Sequence, residues 1–98
     1  MMRLVIQVVE IRGTCPVYKP DSKIVLEDGY ILDPSRSGRV CLHSLASIMP
    51  YYVALARGIS ARQLGIARKH SEEAYVQCLD PCDYTNGGTV VFKIFRVG

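Results

Sequence analysis

The residues of this chain best suited to chemistry are four cysteines, Cys15, Cys41, Cys78 and Cys82. Each stands beside an expected structural boundary: the end of a first strand, the start of a main helix, the end of a late strand, and the loop beyond it. Element ends of this kind can meet at one end of a sheet. Four thiolates meeting there suit zinc or an iron–sulfur cluster, both of which take cysteine sulfur in tetrahedral sets. Cys78 and Cys82 bracket Leu79-Asp80-Pro81, a gap within the range of a zinc-binding pair, whereas Cys15 and Cys41 stand alone where zinc ribbons show a second tight pair. Three other readings compete. Free cysteines often serve as small buried apolar groups. An even count also allows disulfides, in three full pairings, although a reducing compartment opposes them. Finally, one thiol can be reactive. Cys41 is the candidate, near an expected helix amino terminus, in a stretch without acids, two residues before His43.

Placed together on a helix, Cys41 and His43 would point about 200° apart, which makes them poor partners as nucleophile and base. His43 then reads as a solvated side chain. His70 falls at the end of a second expected helix, where a cation suits the helix dipole. From Pro34 to Ser71 there is no Asp or Glu, and the stretch carries Arg36, Arg39, Arg57, Arg62, Arg68 and Lys69. A one-signed region favours anionic ligands, with Arg57, Arg62, Arg68 and Lys69 as the candidate anion-binding set. The competing reading is a solvated face whose charges pair with acids from elsewhere in the fold. No glycine-rich phosphate loop, nucleophile elbow or His-Glu-x-x-His pattern is present, and no carboxylate pair is placed for acid–base work. The residues therefore argue for no enzyme class. Tyr51-Tyr52 could stack on bases. They fall on an amphipathic helix, however, where at least one belongs in the core, and RNA-binding sheets display their aromatics on strands. With so modest a basic bias, nucleic acid is not the expected partner.

The elements that must position these residues can be read in order. Met2 to Ile11 alternates as a strand, with Leu4, Ile6 and Val8 facing one way and Val5, Val9 and Ile11 the other. Lys23–Leu26 and Tyr30–Leu32 flank Asp28-Gly29, a two-residue hairpin signal. A helical segment runs from about Val40 to Arg57, with Leu42, Leu45, Met49, Val53 and Ala56 at helical spacing. Pro50 kinks or divides it, and Gly58 stops it. Ser60 and Gln63 match a capping box, which predicts a second short helix through about Lys69. Glu73–Leu79 reads as a strand with Ala74, Val76 and Cys78 on one face. Asp80–Gly88 reads as a loop. Thr89–Val97 reads as the last strand, with Val90, Phe92 and Ile94 on one side.

Length and composition bound the rest. A chain of 98 residues makes one domain. With 49% hydrophobic and 21% charged residues, it is too apolar for disorder and too interrupted by charge for a membrane span. Met1–Gly13 lacks the basic start and apolar middle of a signal peptide, so the expected address is cytoplasmic, without membrane partners. Apolar residues on both faces of the first and last strands hint at a homo-oligomer formed through a sheet face.

The cysteine blocks also carry a resemblance. Gly13-Thr14-Cys15-Pro16 follows the first strand. Val40-Cys41-Leu42-His43 leads into Met49-Pro50-Tyr51 with Gly58 beyond. Cys78-Leu79-Asp80-Pro81 and a closing Val91-Phe92-Lys93-Ile94 complete the set. In these blocks the chain resembles a family of small prokaryotic proteins of about this length, conserved and of unknown function, with one cysteine in each of three blocks. The resemblance implies a shared set of Cys15, Cys41 and Cys78, with Cys82 an addition, and no activity to carry over. Where relatives tend to have a histidine and Gly-Asp after the first cysteine, this chain has Lys19 and Pro20-Asp21.

Strands come in runs, three before the helical middle and two after it. The expected fold is therefore α+β: an antiparallel or mixed sheet of four to five strands with a helical middle segment packed on one face. The expected function is a small binding or accessory protein. Its sharper form is a zinc or iron–sulfur module using Cys15, Cys41, Cys78 and Cys82. The alternatives are a thiol-dependent redox protein using Cys41, or an anion-binding or self-associating structural subunit.

Overall fold

The structure is a computed structural model and describes residues 2–98. Its five strands are β1 (Arg3–Gly13), β2 (Lys23–Glu27), β3 (Ile31–Leu32), β4 (Ala74–Gln77) and β5 (Gly88–Val97). They form an open antiparallel sheet in the order β3-β2-β1-β5-β4, joined by three short helices, α1 (Leu42–Ile48), α2 (Tyr52–Ala56) and α3 (Cys82–Thr85). This is the expected α+β class, with the first and last strands paired at the centre.

Alternation sets the faces. Leu4, Ile6 and Val8 of β1, Val90, Phe92 and Ile94 of β5, and Ala74 and Val76 of β4 are buried together with Ile48, Leu55 and Ala56 from the helices. Each such large aliphatic or aromatic side chain contributes about 1.5–3 kcal/mol by leaving water. Phe92 has no exposed surface, and Tyr18 meets its ring edge-on, with centroids 5.2 Å apart at 85°. The opposite face of the sheet is mixed. Val5 and Val25 are buried there, among the ion pairs Arg3–Glu27 and Lys93–Glu73.

The expected faces of β1 need one correction. Val8 pairs with Phe92 and Glu10 with Val91, so Val9 is the extra residue of a bulge. One inserted residue shifts the two-residue period by one. Ile11 therefore packs against the core rather than lying on the side of Val5, and Val9 is left exposed.

The hairpin forms at Asp28-Gly29, where both residues take the positive φ that the turn demands, 55° and 84°. Three residues rather than two separate the paired Glu27 and Ile31. The helical segment breaks at Met49-Pro50-Tyr51 and ends before Gly58, which has φ 91°. Its buried face differs from the expected one. Leu42 is 79% exposed, and Met49 and Val53 are exposed too, whereas Ser44 and Ile48 are buried and Leu45 packs against the core. A polar residue, Ser44, occupies a buried position that hydrophobic spacing does not assign to it.

The second expected helix does not form. Ser60 and Gln63 do make reciprocal capping bonds, with the Gln63 amide donating to Ser60 Oγ at 3.1 Å and the Ser60 amide to Gln63 Oε1 at 3.3 Å. Gly65 then takes φ 78° and turns the chain, so that the Tyr75 amide donates to Ile66 O and Ala67 bridges Ala74. His70 consequently lies in a turn with φ 62° and not at a helix terminus. Within the expected loop after Cys78, four residues wind into α3.

Because Phe92 sits unexposed at the centre of both the sheet and the aromatic contact, Phe92→Ala should lower the unfolding free energy by about 3–5 kcal/mol. Urea denaturation measures it. A loss of under about 1 kcal/mol would contradict the central place given to this ring.

Candidate functional site

The ends of β1 and β4 and the start of α1 converge at one end of the sheet. Antiparallel pairing of β1 with β5 runs to Gly13↔Gly88, and the Thr14 amide continues it by donating to Gly87 O at 3.0 Å. Gly88 permits the approach. A Cβ there would lie 2.7 Å from the Thr14 carbonyl and 2.8 Å from the Cys15 nitrogen, and that neighbour is backbone, which yields little. Cys15 is thus delivered beside the residue that follows β4, Cys78, whose amide donates to Val90 O at 2.9 Å.

Between them opens a pocket of about 290 Å³, lined by Cys15, Cys41, Cys78, His43 and Tyr18 and mostly apolar. Three of the four cysteines, from segments far apart in sequence, line it. Cys82 does not. It lines a separate hollow with Arg12, Gln77 and Thr89, whose side chains alternate to the opposite face from Ile11, Val76 and Val90. Among the described residues, no group of three or more His, Cys, Asp or Glu side chains is disposed to hold a metal ion.

The three sulfurs differ in their surroundings. Cys78 is buried, its thiol donating to Gly88 O at 3.4 Å and accepting the Val90 amide at 3.3 Å. Cys15 is half-buried, and its sulfur accepts the Tyr18 amide at 3.3 Å. Cys41 is half-buried and precedes α1 with an extended backbone, φ −96° and ψ 131°. That conformation corrects the expected relation to His43. Cys41 is not on the helical wheel, so the 200° separation does not apply, and both residues line the pocket.

A closed ring of hydrogen bonds holds Cys41. Its amide donates to Tyr18 Oη at 3.0 Å, and Ser44 Oγ donates to Cys41 O at 2.7 Å. Since the one hydroxyl proton of Ser44 is spent there, Tyr18 must be the donor in the 2.6 Å Tyr18–Ser44 bond. Burial pushes the Tyr18 hydroxyl above its ordinary pKa of 10.0, partly offset by its bonds with Ser44 and the Cys41 amide. Neither Tyr18 nor Ser44 stands out as functional in the sequence, because 26 positions separate them.

The basic set lies elsewhere. Arg62 pairs with Glu72 at 3.3 Å and donates to Ser71 O, and Arg68 lies 5.9 Å over the Tyr75 ring. Arg57 follows α2, and Lys69 is exposed in the turn before Ser71. Arg36 likewise meets Glu27 and Asp33, so two charges of the acid-free stretch, Arg36 and Arg62, pair with acids from outside it. No described helix is long and apolar enough to cross a membrane. Comparison with protein families, curated proteins and solved structures gives no match to this chain.

Two variants probe the site's construction. Gly88→Ala should cost about 1–3 kcal/mol by overpacking and should speed alkylation of Cys78, as the strand ends part. Unchanged thermal stability would refute the close approach. Tyr18→Phe tests the ring. An unfolded tyrosine loses its proton at lower pH than the buried one, so stability from this group is present below about pH 10 and is lost as pH rises further. The stability gap between wild type and Tyr18→Phe should be about 1–3 kcal/mol near neutrality and should narrow in alkali. A gap constant across that range in thermal melts would contradict the assignment.

Proposed function

We propose that this protein is a small thiol-dependent binding protein, which holds a soft, thiophilic ligand in the pocket between Cys15 and Cys41. The observation that carries this reading is the convergence of three sulfurs from three separate segments on one largely apolar pocket. Cys78 already uses its donor and acceptor capacity inside the protein, which leaves Cys15 and Cys41 as the sulfurs open to a ligand. Soft ligands suit such donors, and His43 at the same pocket adds an imidazole. A zinc site of three thiolates and one histidine would require Cys78 to give up its internal bonds. A four-cysteine iron–sulfur site would further require Cys82 to leave the opposite face.

A trivalent phenylarsenical oxide tests the reading, since it closes on two neighbouring thiols with loss of one water. The reduced wild type and Cys82→Ser should each give a single closed adduct in intact mass spectra, and Cys15→Ser and Cys41→Ser should give none. Equal capture by all four proteins, or capture by none, would defeat the proposal.

A further inference from the structure

We propose that Cys15 and Cys41 form an exchange pair that reduces small uncharged disulfides, with Cys15 attacking and Cys41 resolving. The inference rests on the thiol pocket being the working site and names the chemistry performed there.

The assignment comes from the contacts of each sulfur. Cys78 is only 6% exposed and is bonded on both sides by the β5 backbone, so it presents nothing to an incoming molecule. Cys82 faces another hollow. Of the remaining two, Cys15 alone has a backbone N–H aimed at its sulfur, from Tyr18 three residues on. A donor so placed stabilises the charge that sulfur carries as a nucleophile. Cys41 makes no sulfur hydrogen bond among the described residues, but its backbone is fixed by the Tyr18–Ser44 ring. One residue, Tyr18, thus touches both: its amide meets the Cys15 sulfur and its hydroxyl meets the Cys41 amide. Pro16, Val17 and Val90 line the pocket around them, which favours an uncharged, apolar disulfide over a charged one.

The exchange balances in two steps. The Cys15 thiolate, its proton released to water, attacks one sulfur of the substrate disulfide. The substrate S–S bond breaks, one substrate thiolate leaves and takes up a proton, and a mixed disulfide remains on Cys15. The Cys41 thiolate, its proton likewise released to water, then attacks the Cys15 sulfur and expels the second substrate thiolate, which is protonated in turn. The substrate has gained two electrons, and the protein holds a Cys15–Cys41 disulfide that an external dithiol reduces again.

A neutral dipyridyl disulfide is the probe. In a Cys82→Ser background, which removes the third half-buried thiol, the reduced protein should release two pyridinethiones per chain and end lighter by two hydrogens, with peptide mapping placing the bond between Cys15 and Cys41. Adding Cys41→Ser to that background should reduce the release to one and leave a pyridyl adduct on Cys15. Adding Cys15→Ser to that background instead, with Cys15→Ala as a second variant and circular dichroism to confirm folding, should slow the reaction at least about tenfold. Wild type should form the same Cys15–Cys41 bond, with Cys82 adding one further pyridinethione. A Cys82→Ser protein that keeps a stable pyridyl adduct and forms no internal disulfide would overturn the inference, as would an unchanged rate in both folded Cys15 variants. If the arsenical still closes on Cys15 and Cys41 in that event, the exchange chemistry fails and the binding pocket stands. If it does not, both fail.

Discussion

The pairing of β1 with β5 is the constraint on which the rest of the molecule depends. It joins the two ends of the chain from Arg3↔Val97 to Gly13↔Gly88 and places Phe92 at the middle of the sheet. Joining such distant segments costs loop-closure entropy, though that cost grows only slowly with length, by about 0.6 kcal/mol per doubling. The burial of Leu4, Ile6, Val90, Phe92 and Ile94 along this seam, at about 1.5–3 kcal/mol each, outweighs it. The same ladder positions the site at its far end. Because it runs out at two glycines, the backbone after β1 can press against the start of β5, and Cys15 arrives beside the strand that already holds Cys78.

The second organising residue is Tyr18, which belongs to the core and to the pocket at once. Its ring meets Phe92, its amide meets the Cys15 sulfur, and its hydroxyl closes the ring with Ser44 and Cys41. Burying an unpartnered hydroxyl costs about 1–3 kcal/mol, and two are buried here. Each satisfies the other, and the remaining bonds go to the Cys41 backbone, so the pair lies in an apolar interior without an unmet group. This explains why α1 turns a serine inward. It also ties the conformation of Cys41 to the packing of the sheet, since Tyr18 cannot move without disturbing Phe92.

Much of this fold is legible in the sequence, for identifiable reasons. Val90 to Val97 shows a strand through its run of β-branched and aromatic residues, and Val90, Phe92 and Ile94 form its buried face as expected. Asp28-Gly29 and Gly58 mark a turn and a stop through backbone conformations that few other residues adopt. The bulge at Val9 is not legible, because Val8-Val9-Glu10 contains no glycine or other local cue, and its effect on Ile11 emerges only from pairing with β5. The helix after Ser60 is misread although its capping bonds are real: the cap fixes one turn, and Gly65 sets the path of the chain beyond it. The buried face of α1 is misread because hydrophobic spacing ignores a serine whose partner lies 26 residues away. For the site, the placement of cysteines at element boundaries is the visible signal. Which boundaries share one end and one face depends on strand order, and that separates Cys82 from the other three.

Three thiols of identical chemistry therefore acquire different characters from their neighbours alone. Cys78 follows a strand paired to β5, so backbone groups on β5 reach its sulfur from both sides and its proton and lone pair are engaged. Cys15 begins a tight turn, where the chain folds back and the amide three residues on points at sulfur. Cys41 ends a loop in extended conformation, one residue before helical geometry would have swung it away from His43. Were Cys41 itself the first helical residue, its side chain would stand about 200° around the axis from His43. The Tyr18–Ser44 ring holds the Cys41 backbone at that boundary, because the Cys41 amide donates to Tyr18 Oη and its carbonyl accepts from Ser44 Oγ. The polar pair buried in the core thus anchors the backbone of Cys41 beside the pocket that Cys15 also lines.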